Sequence, residues 1–203
     1  MVYASLEIEQ SLWNFGYNLI AGIDEVGRGS FAGPVVAGAV IFPSNLPLIA
    51  GIADSKLLSP DKRDNLESII KEQAICWAIG EASVEEINEI GIGKATQKAF
   101  GRAVKALKSA PDFLLIDAFY IEEFTERIQR PVKNGDKICA SISAASIIAK
   151  VYRDGLMKRL DQEYPQYGFS KHKGYGTKFH REAIKKYGLS KIHRTSFNLG
   201  KFL

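Results

Sequence analysis

The run Phe113-Leu114-Leu115-Ile116-Asp117, set just after Pro111, constrains this chain most. Four large apolar residues in a row, bounded by turn chemistry, read as a buried strand closed by an Asp. An earlier segment repeats the pattern. Residues 19–25 (LIAGIDE) read as a short strand ending in two carboxylates, Asp24 and Glu25. In α/β sheets the strand ends line the functional edge. An ionised carboxylate is very costly to bury unpaired. Asp117 must therefore lie at the rim, be hydrogen-bonded, or meet a cation, and a merely solvated strand end or helix cap is equally compatible with its position.

The rest of the chain fills in an α/β pattern. Gly27, Gly29, Gly33 and Pro34 supply a turn, and Val35 to Phe42 reads as a second strand. Ser59-Pro60 is an N-cap with Pro at the first helical position, followed by Leu66, Ile69, Ile70 and Ala74 at helical spacing. Ile75 to Ile79 reads as a third strand. Ser83 with Glu86 is a capping box, opening a helix that runs to Leu107 with a break at Gly91 and Gly93. A long helix spans Ser141 to Glu163. Strands followed by helices predict a mixed α/β domain with a C-terminal helical extension. With 203 residues, 46% hydrophobic and 25% charged, one core can form without disulfides. Cys76 and Cys139 read as buried, reduced thiols. No signal peptide is expected. The longest apolar stretch, Phe31 to Phe42, is too short and too interrupted to span a bilayer, so the expectation is a cytoplasmic protein with no membrane partner.

Charge is split along the chain. The formal net charge is +4, but residues 165–203 hold nine Lys/Arg against one acidic residue, a net of +8. Residues 1–164 hold 18 basic and 22 acidic residues, a net of −4. All three histidines, His172, His180 and His193, lie in the basic part. The expected organisation is thus an acidic domain over 1–164 with a basic helical segment, 165–203, packed on it.

Within the long helix, Ser143, Ser146, Lys150, Asp154 and Asp161 fall in one sector. The helix is otherwise apolar, so this stripe faces either water or a polar cleft. Serines near a helix N-terminus suit a phosphate. Asp24, Glu25, Asp117 and Asp154 together would form an oxygen-rich cluster of the kind that hard divalent ions prefer. Two such ions about 3.5–4 Å apart support in-line phosphodiester cleavage. No His/Cys set has zinc spacing and no GxSxG elbow is present. Two motifs are decoys. Gly27 to Ala32 matches GxGxxA, but that fingerprint needs a helix where Pro34 and a Val-rich run indicate a strand. Gly93-Lys94-Ala95-Thr96 lacks the first Gly and the Ser/Thr of a phosphate loop.

These motifs carry a family resemblance. Gly22-Ile23-Asp24-Glu25-Val26-Gly27-Arg28-Gly29 with Ala32-Gly33-Pro34-Val35-Val36 strongly resembles the N-terminal signature of bacterial ribonuclease HII. Asp54-Ser55-Lys56-Leu57-Leu58, Leu115-Ile116-Asp117, Ser141 to Asp154, Gly174-Tyr175-Gly176-Thr177, and His193-Arg194 with Ser196-Phe197 continue it in order. The resemblance implies a ribonuclease H-like fold, a mixed β-sheet flanked by helices. It implies a monomeric endoribonuclease that cuts the RNA strand of RNA–DNA hybrids and nicks at single ribonucleotides in duplex DNA. Two divalent ions, Mg²⁺ or Mn²⁺, are implied on Asp24, Glu25, Asp117 and Asp154, with Asp24 bridging. The substrate would meet the Gly27, Arg28 and Gly29 loop and Tyr175, a junction-sensing residue, with Lys56, Ser143, Ser146 and Lys150 near phosphates. Ser30-Phe31 departs from the usual Pro-Leu, and Thr177 stands where Ser is common. The related ribonuclease HIII, which carries an extra N-terminal domain, fits less well. A nucleic-acid-binding module without catalysis is disfavoured because a binder has no need to concentrate anions beside phosphate.

Overall fold

The computed structural model describes residues 4–47, 49–52, 55 and 58–202. Five strands form one mixed sheet: β1 (Ile20–Val26), β2 (Val35–Ile41), β3 (Cys76–Ala82), β4 (Phe113–Asp117) and β5 (Gln129–Val132), in the order β3-β2-β1-β4-β5. β1, β2 and β3 pair antiparallel. β4 and β5 add parallel to β1.

Helices cover both faces: α1 (Glu7–Phe15), α2 (Pro60–Gln73), α3 (Val84–Lys105), α4 (Gly135–Ile138) and α5 (Ala140–Glu163). The period of two in each strand sorts the core. Ala21 and Ile23 of β1, with alternate residues of β2, pack on Ile87, Ala95, Ala99 and Phe100 of α3. On the opposite face, Val40 and Phe42 meet Leu66 and Ile70 of α2 and Ala144, Ala145, Ile147 and Ile148 of α5. Ile20, Phe113 and Leu115 meet Ile142 there, with α1 alongside. Gly22 and Gly38 allow the close approach of α5. A Cβ on Gly22 would lie 2.1 Å from the Ser141 carbonyl carbon, and one on Gly38 2.3 Å from the Ala145 oxygen.

Local signals act as the sequence predicts. Ser59 caps α2 by accepting from the Lys62 amide at 3.4 Å. Ser83 and Glu86 form the reciprocal capping box at 3.2 and 3.1 Å. The expected break in α3 falls at Gly91, with φ 79° and ψ 158°. α1, α4 and β5 are additions that the sequence pattern does not announce. β5 contains Pro131 and lies at the sheet edge, where a missing amide is tolerated. α1 docks through Glu9, whose Oε1 accepts from the Ser141 amide at 2.8 Å and from the Cys139 thiol at 3.1 Å. It thus caps the start of α5, which has no side-chain cap from its own N-cap residue. Both cysteines are buried and unpaired with each other.

After Pro165 come α6 (Phe169–His172) and α7 (Lys178–Tyr187). Ala32, Met157, Tyr167, Phe169 and Ala183 join this segment to the body. Among the described residues no helix is long and apolar enough to cross a membrane.

Candidate active site

The sheet register builds the acidic edge. In the parallel β1–β4 pair, Ile23 is opposite Ile116, so Asp24 and Asp117 follow side by side at adjacent strand ends. Both belong to the alternation facing α5. β5 ends opposite Asp117, and the turn after it opens α4. The Gly135 amide at that turn donates to Asp117 Oδ1 at 2.8 Å. Asp136 follows in α4 and is buried.

Asp24 is only 4% exposed. Burial is the main force holding its carboxyl well above the usual carboxylate range, followed by the charge of Glu25. Asp117 and Asp136 push the same way, and a hydrogen bond with Ser146 opposes them. Its Oδ1 also accepts from the Glu25 amide at 2.7 Å. Among the described residues no three His, Cys, Asp or Glu side chains are already gathered closely enough to enclose an ion. The donor set nevertheless fits a hard divalent cation. It consists of oxygens, and the repulsion concentrated on Asp24 is what such an ion would relieve.

A cleft of about 420 Å³ opens beside this edge, lined by Glu25, Ser55, Arg63, Ser146, Lys150 and Tyr175. Lys150 pairs with Asp154 at 2.7 Å, and Arg63 approaches the same carboxylate at 3.7 Å. The cleft therefore combines an acidic wall with a cationic one.

The Gly27–Arg28–Gly29 loop forms the adjoining rim, held by two fully buried arginines. Arg153 donates to the carbonyls of Pro34, Lys173 and Ala32 at 3.0, 2.9 and 3.1 Å. Arg194 donates to those of Gly33 and Arg28 at 2.9 and 2.8 Å. Gly27 has φ 87°, and a Cβ there would sit 2.1 Å from Arg153 Nε. The chain continues into β2, not a helix, which removes the dinucleotide-binding reading.

The family model for ribonuclease HII matches residues 21–199. The chain is 51% identical to ribonuclease HII of Clostridioides difficile strain 630 over 189 residues, covering 93% of this chain and 73% of that one. This chain belongs to the ribonuclease HII family. It is a type 2 ribonuclease H, an endonuclease that cleaves RNA in RNA–DNA hybrids. The fold is similar to that of ribonuclease H2 from Pyrococcus horikoshii OT3, with a TM-score of 0.75, 25% identity, and coverage of 90% of this chain and 95% of that one. It is also similar to Bst-RNase HIII solved in complex with Mn²⁺, with a TM-score of 0.67, 19% identity, and coverage of 92% and 69%.

The structure sets Asp24, Glu25 and Asp117 at the ends of β1 and β4, and places Ser146, Lys150 and Tyr175 at the adjoining cleft with Glu25. The Asp154 carboxylate, expected beside these acids, is engaged by Lys150 and Arg63, and Asp136 is a further acid acting on Asp24. Ser143 is fully buried, and its hydroxyl donates to the Asp136 carbonyl at 2.5 Å, so it supports α4. Lys56 and Asp54 lie outside the described residues. Arg28 is exposed, with its guanidinium 4.6 Å from the Phe119 ring centroid. Phe31, at the departure from the usual loop sequence, packs against His180 and Phe202. Sequence reading misses Asp136 and gives no role to Arg153 and Arg194, which it quotes only within motifs. The Gly135-Asp136 pair following a Pro-containing segment is the available signal for the first.

Proposed function

We propose that this ribonuclease HII nicks duplex DNA at single embedded ribonucleotides as well as cutting hybrids, using two divalent ions, Mg²⁺ or Mn²⁺. Asp24, Glu25 and Asp117 would hold them, with Asp136 as the fourth carboxylate. The observation that carries this is the burial of Asp24 at the end of β1, with Glu25, Asp117 of β4 and Asp136 of α4 all acting on it. Bound there, the ions supply an activated water and a counter-charge for the leaving 3′ oxygen. The products carry 5′-phosphate and 3′-hydroxyl ends.

The chain's own residues do the selecting. Gly29 has open space around it, with no atom within 4 Å of where a Cβ would stand. A nucleic-acid backbone can therefore approach the loop, where peptide groups of Gly27, Arg28 and Gly29 read the ribose 2′-hydroxyl. Tyr175, 37% exposed at the cleft, stacks on the sugar of the following deoxynucleotide. Lys150 contacts the phosphate backbone, and Asp154 keeps its ammonium in the cleft. Ser146 orients Asp24 and lies at the phosphate side.

A duplex with one ribonucleotide tests this, with Mg²⁺, Mn²⁺ or chelator. Metal-dependent nicking is expected, with Asp24→Asn and Asp117→Asn inactive. Full activity in those variants would overturn the site. Asp136→Asn is expected to lose metal-dependent cutting. Asp154→Asn should chiefly raise KM, and the reverse pattern would restore Asp154 as the ligand.

A further inference from the structure

The basic segment holds His172, His180 and His193 as a buried cluster inside aromatic walls. Phe169 meets the His180 ring edge-on at 5.4 Å, and Tyr167 meets His193 at 4.9 Å. The rings of His172 and His180 stack at 4.5 Å. Nothing in the cleavage chemistry uses these groups. Their hydrogen bonds nevertheless converge on the loop that carries Tyr175.

We propose that the three histidines are positioning residues for Tyr175: a neutral hydrogen-bond relay that fixes its backbone and so sets the preference for a ribonucleotide–deoxyribonucleotide junction over continuous hybrid. The proposal rests on the reading of Tyr175 given above. The donors decide every tautomer. The Ser190 amide donates to His193 Nδ1 at 2.8 Å, so that nitrogen carries no proton. His193 must then hold its proton on Nε2, which lies 3.0 Å from His180 Nε2. His180 Nε2 therefore accepts, and its proton sits on Nδ1, which donates to the Tyr175 carbonyl at 3.0 Å. His172 works in parallel. Its Nδ1 accepts from the Gly174 amide at 3.2 Å, and its Nε2 donates to the Tyr167 carbonyl at 2.8 Å. One more proton on any ring would set two hydrogens against each other.

The loop is thereby tied on every side. The Tyr175 amide donates to the His172 carbonyl at 2.9 Å, and its carbonyl also accepts from the Thr177 amide at 2.8 Å. The Gly174 carbonyl accepts from the Phe31 amide at 2.8 Å, linking this loop to the glycine loop. Tyr175 thus has an exposed ring on an immobilised backbone, which suits a residue that must meet one sugar in one register.

Nitrogen-15 NMR at pH 7 reads the relay without any assay of activity. It should show the proton on Nδ1 of His180 and on Nε2 of His172 and His193. A charged ring or the opposite His180 tautomer would overturn the proposal. The second measurement is the ratio of kcat/KM on a single-ribonucleotide duplex to that on a continuous RNA–DNA hybrid. His180→Leu should lower this ratio about tenfold, the factor that one lost hydrogen bond carries, approaching Tyr175→Ala. His180→Asn retains a donor near the Nδ1 position and should hold the ratio within about twofold of the parent. Equal losses on both substrates in His180→Leu would show a purely structural role and sink the selectivity claim. If Tyr175→Ala leaves the ratio unchanged, the reading of Tyr175 fails and the selectivity claim falls with it. The tautomers would still judge the relay. Should His180→Leu not fold, His180→Asn and the NMR assignment decide.

Discussion

At the ends of β1 and β4, Asp24 is buried beside Glu25, Asp117 and Asp136, all of one sign. Where the C-terminal segment meets the body, Arg153, Arg194 and three histidines are buried too, yet each ring or guanidinium meets complementary atoms. The contrast separates two uses of a buried polar group. These rings and guanidinium groups bond to one another or to backbone carbonyls, which makes a rigid scaffold. The acids raise the proton affinity of Asp24 even though it accepts from the Glu25 amide and Ser146, an arrangement that favours a cation.

Removing Asp24 breaks the comparison most sharply. Asp24→Asn should reduce metal-dependent cleavage by well over about 100-fold, since even outer partners of a metal are worth about 10–100-fold. The same change removes a buried like charge. The metal-free protein should therefore melt higher, by about 2–4 °C for each kcal/mol relieved in a chain of this size. Activity and stability move in opposite directions only if Asp24 is repelled in the resting fold. A lower melting temperature would contradict that.

The mirror experiment is Arg153→Met. It fills similar space but leaves the carbonyls of Pro34, Ala32 and Lys173 without their donor. A loss of about 3–5 kcal/mol in urea unfolding is expected, large enough to lower the melting point by roughly 10 °C. A loss below about 1 kcal/mol would mean that water replaces the guanidinium.

Acid titration sets the two regions against each other. Burial is the main force holding His180 and His193 down to about 4, and burial lowers His172 as well. Unfolded histidines titrate near about 6.5. Between those values the unfolded chain binds protons that the fold refuses, so these groups make stability fall as pH drops from about 6.5 to about 4. The effect is on the order of 2 kcal/mol for the His180–His193 pair taken as one coupled unit. Asp24 has the opposite sign. Its raised value means that the fold takes up a proton more readily than the unfolded chain, which adds stability on acidification. Wild-type protein should lose stability over this window, and Asp24→Asn should lose it more steeply. Urea midpoints across pH 4–7 measure both slopes, and equal slopes would remove Asp24 from the account.

Much of this was legible in the sequence because local rules decided it. The apolar run ending in Asp117 and the turn after Glu25 fix two strand ends, and Ser83 with Glu86 fixes the start of α3. What escaped depends on distant partners. Asp136 lies in a four-residue helix, too short for any periodicity, and matters only because β5 returns beside β4. Asp154 shares a helical stripe with Ser146 and Lys150, but a stripe does not say which member meets the carboxylates and which meets Lys150. Ser143 sits on the same stripe nearer the helix start and is sealed by α4. The buried arginines look like ordinary surface charges until the loops that need them are in place.

The smallest expected effect concerns the exposed basic surface of α7, where Lys178, Arg181 and Lys185 line a shallow groove with Lys201 and Phe202. Lys185→Ala should weaken duplex binding only a few-fold, and should reduce the slope of log affinity against log salt by about 1, the share of a single phosphate contact. Fluorescence anisotropy in chelator, so that nothing is cut, measures both. A phosphate contact carries no information about the sugar beneath it. The loss should therefore be the same for continuous hybrid and for duplex with one ribonucleotide. This separates the outer lysines from the buried histidines of the same segment, whose substitution should alter preference rather than overall affinity. If Lys185→Ala shifted the preference instead, α7 would be reading the junction through its surface, and Tyr175 would not be the point at which the tail makes its choice.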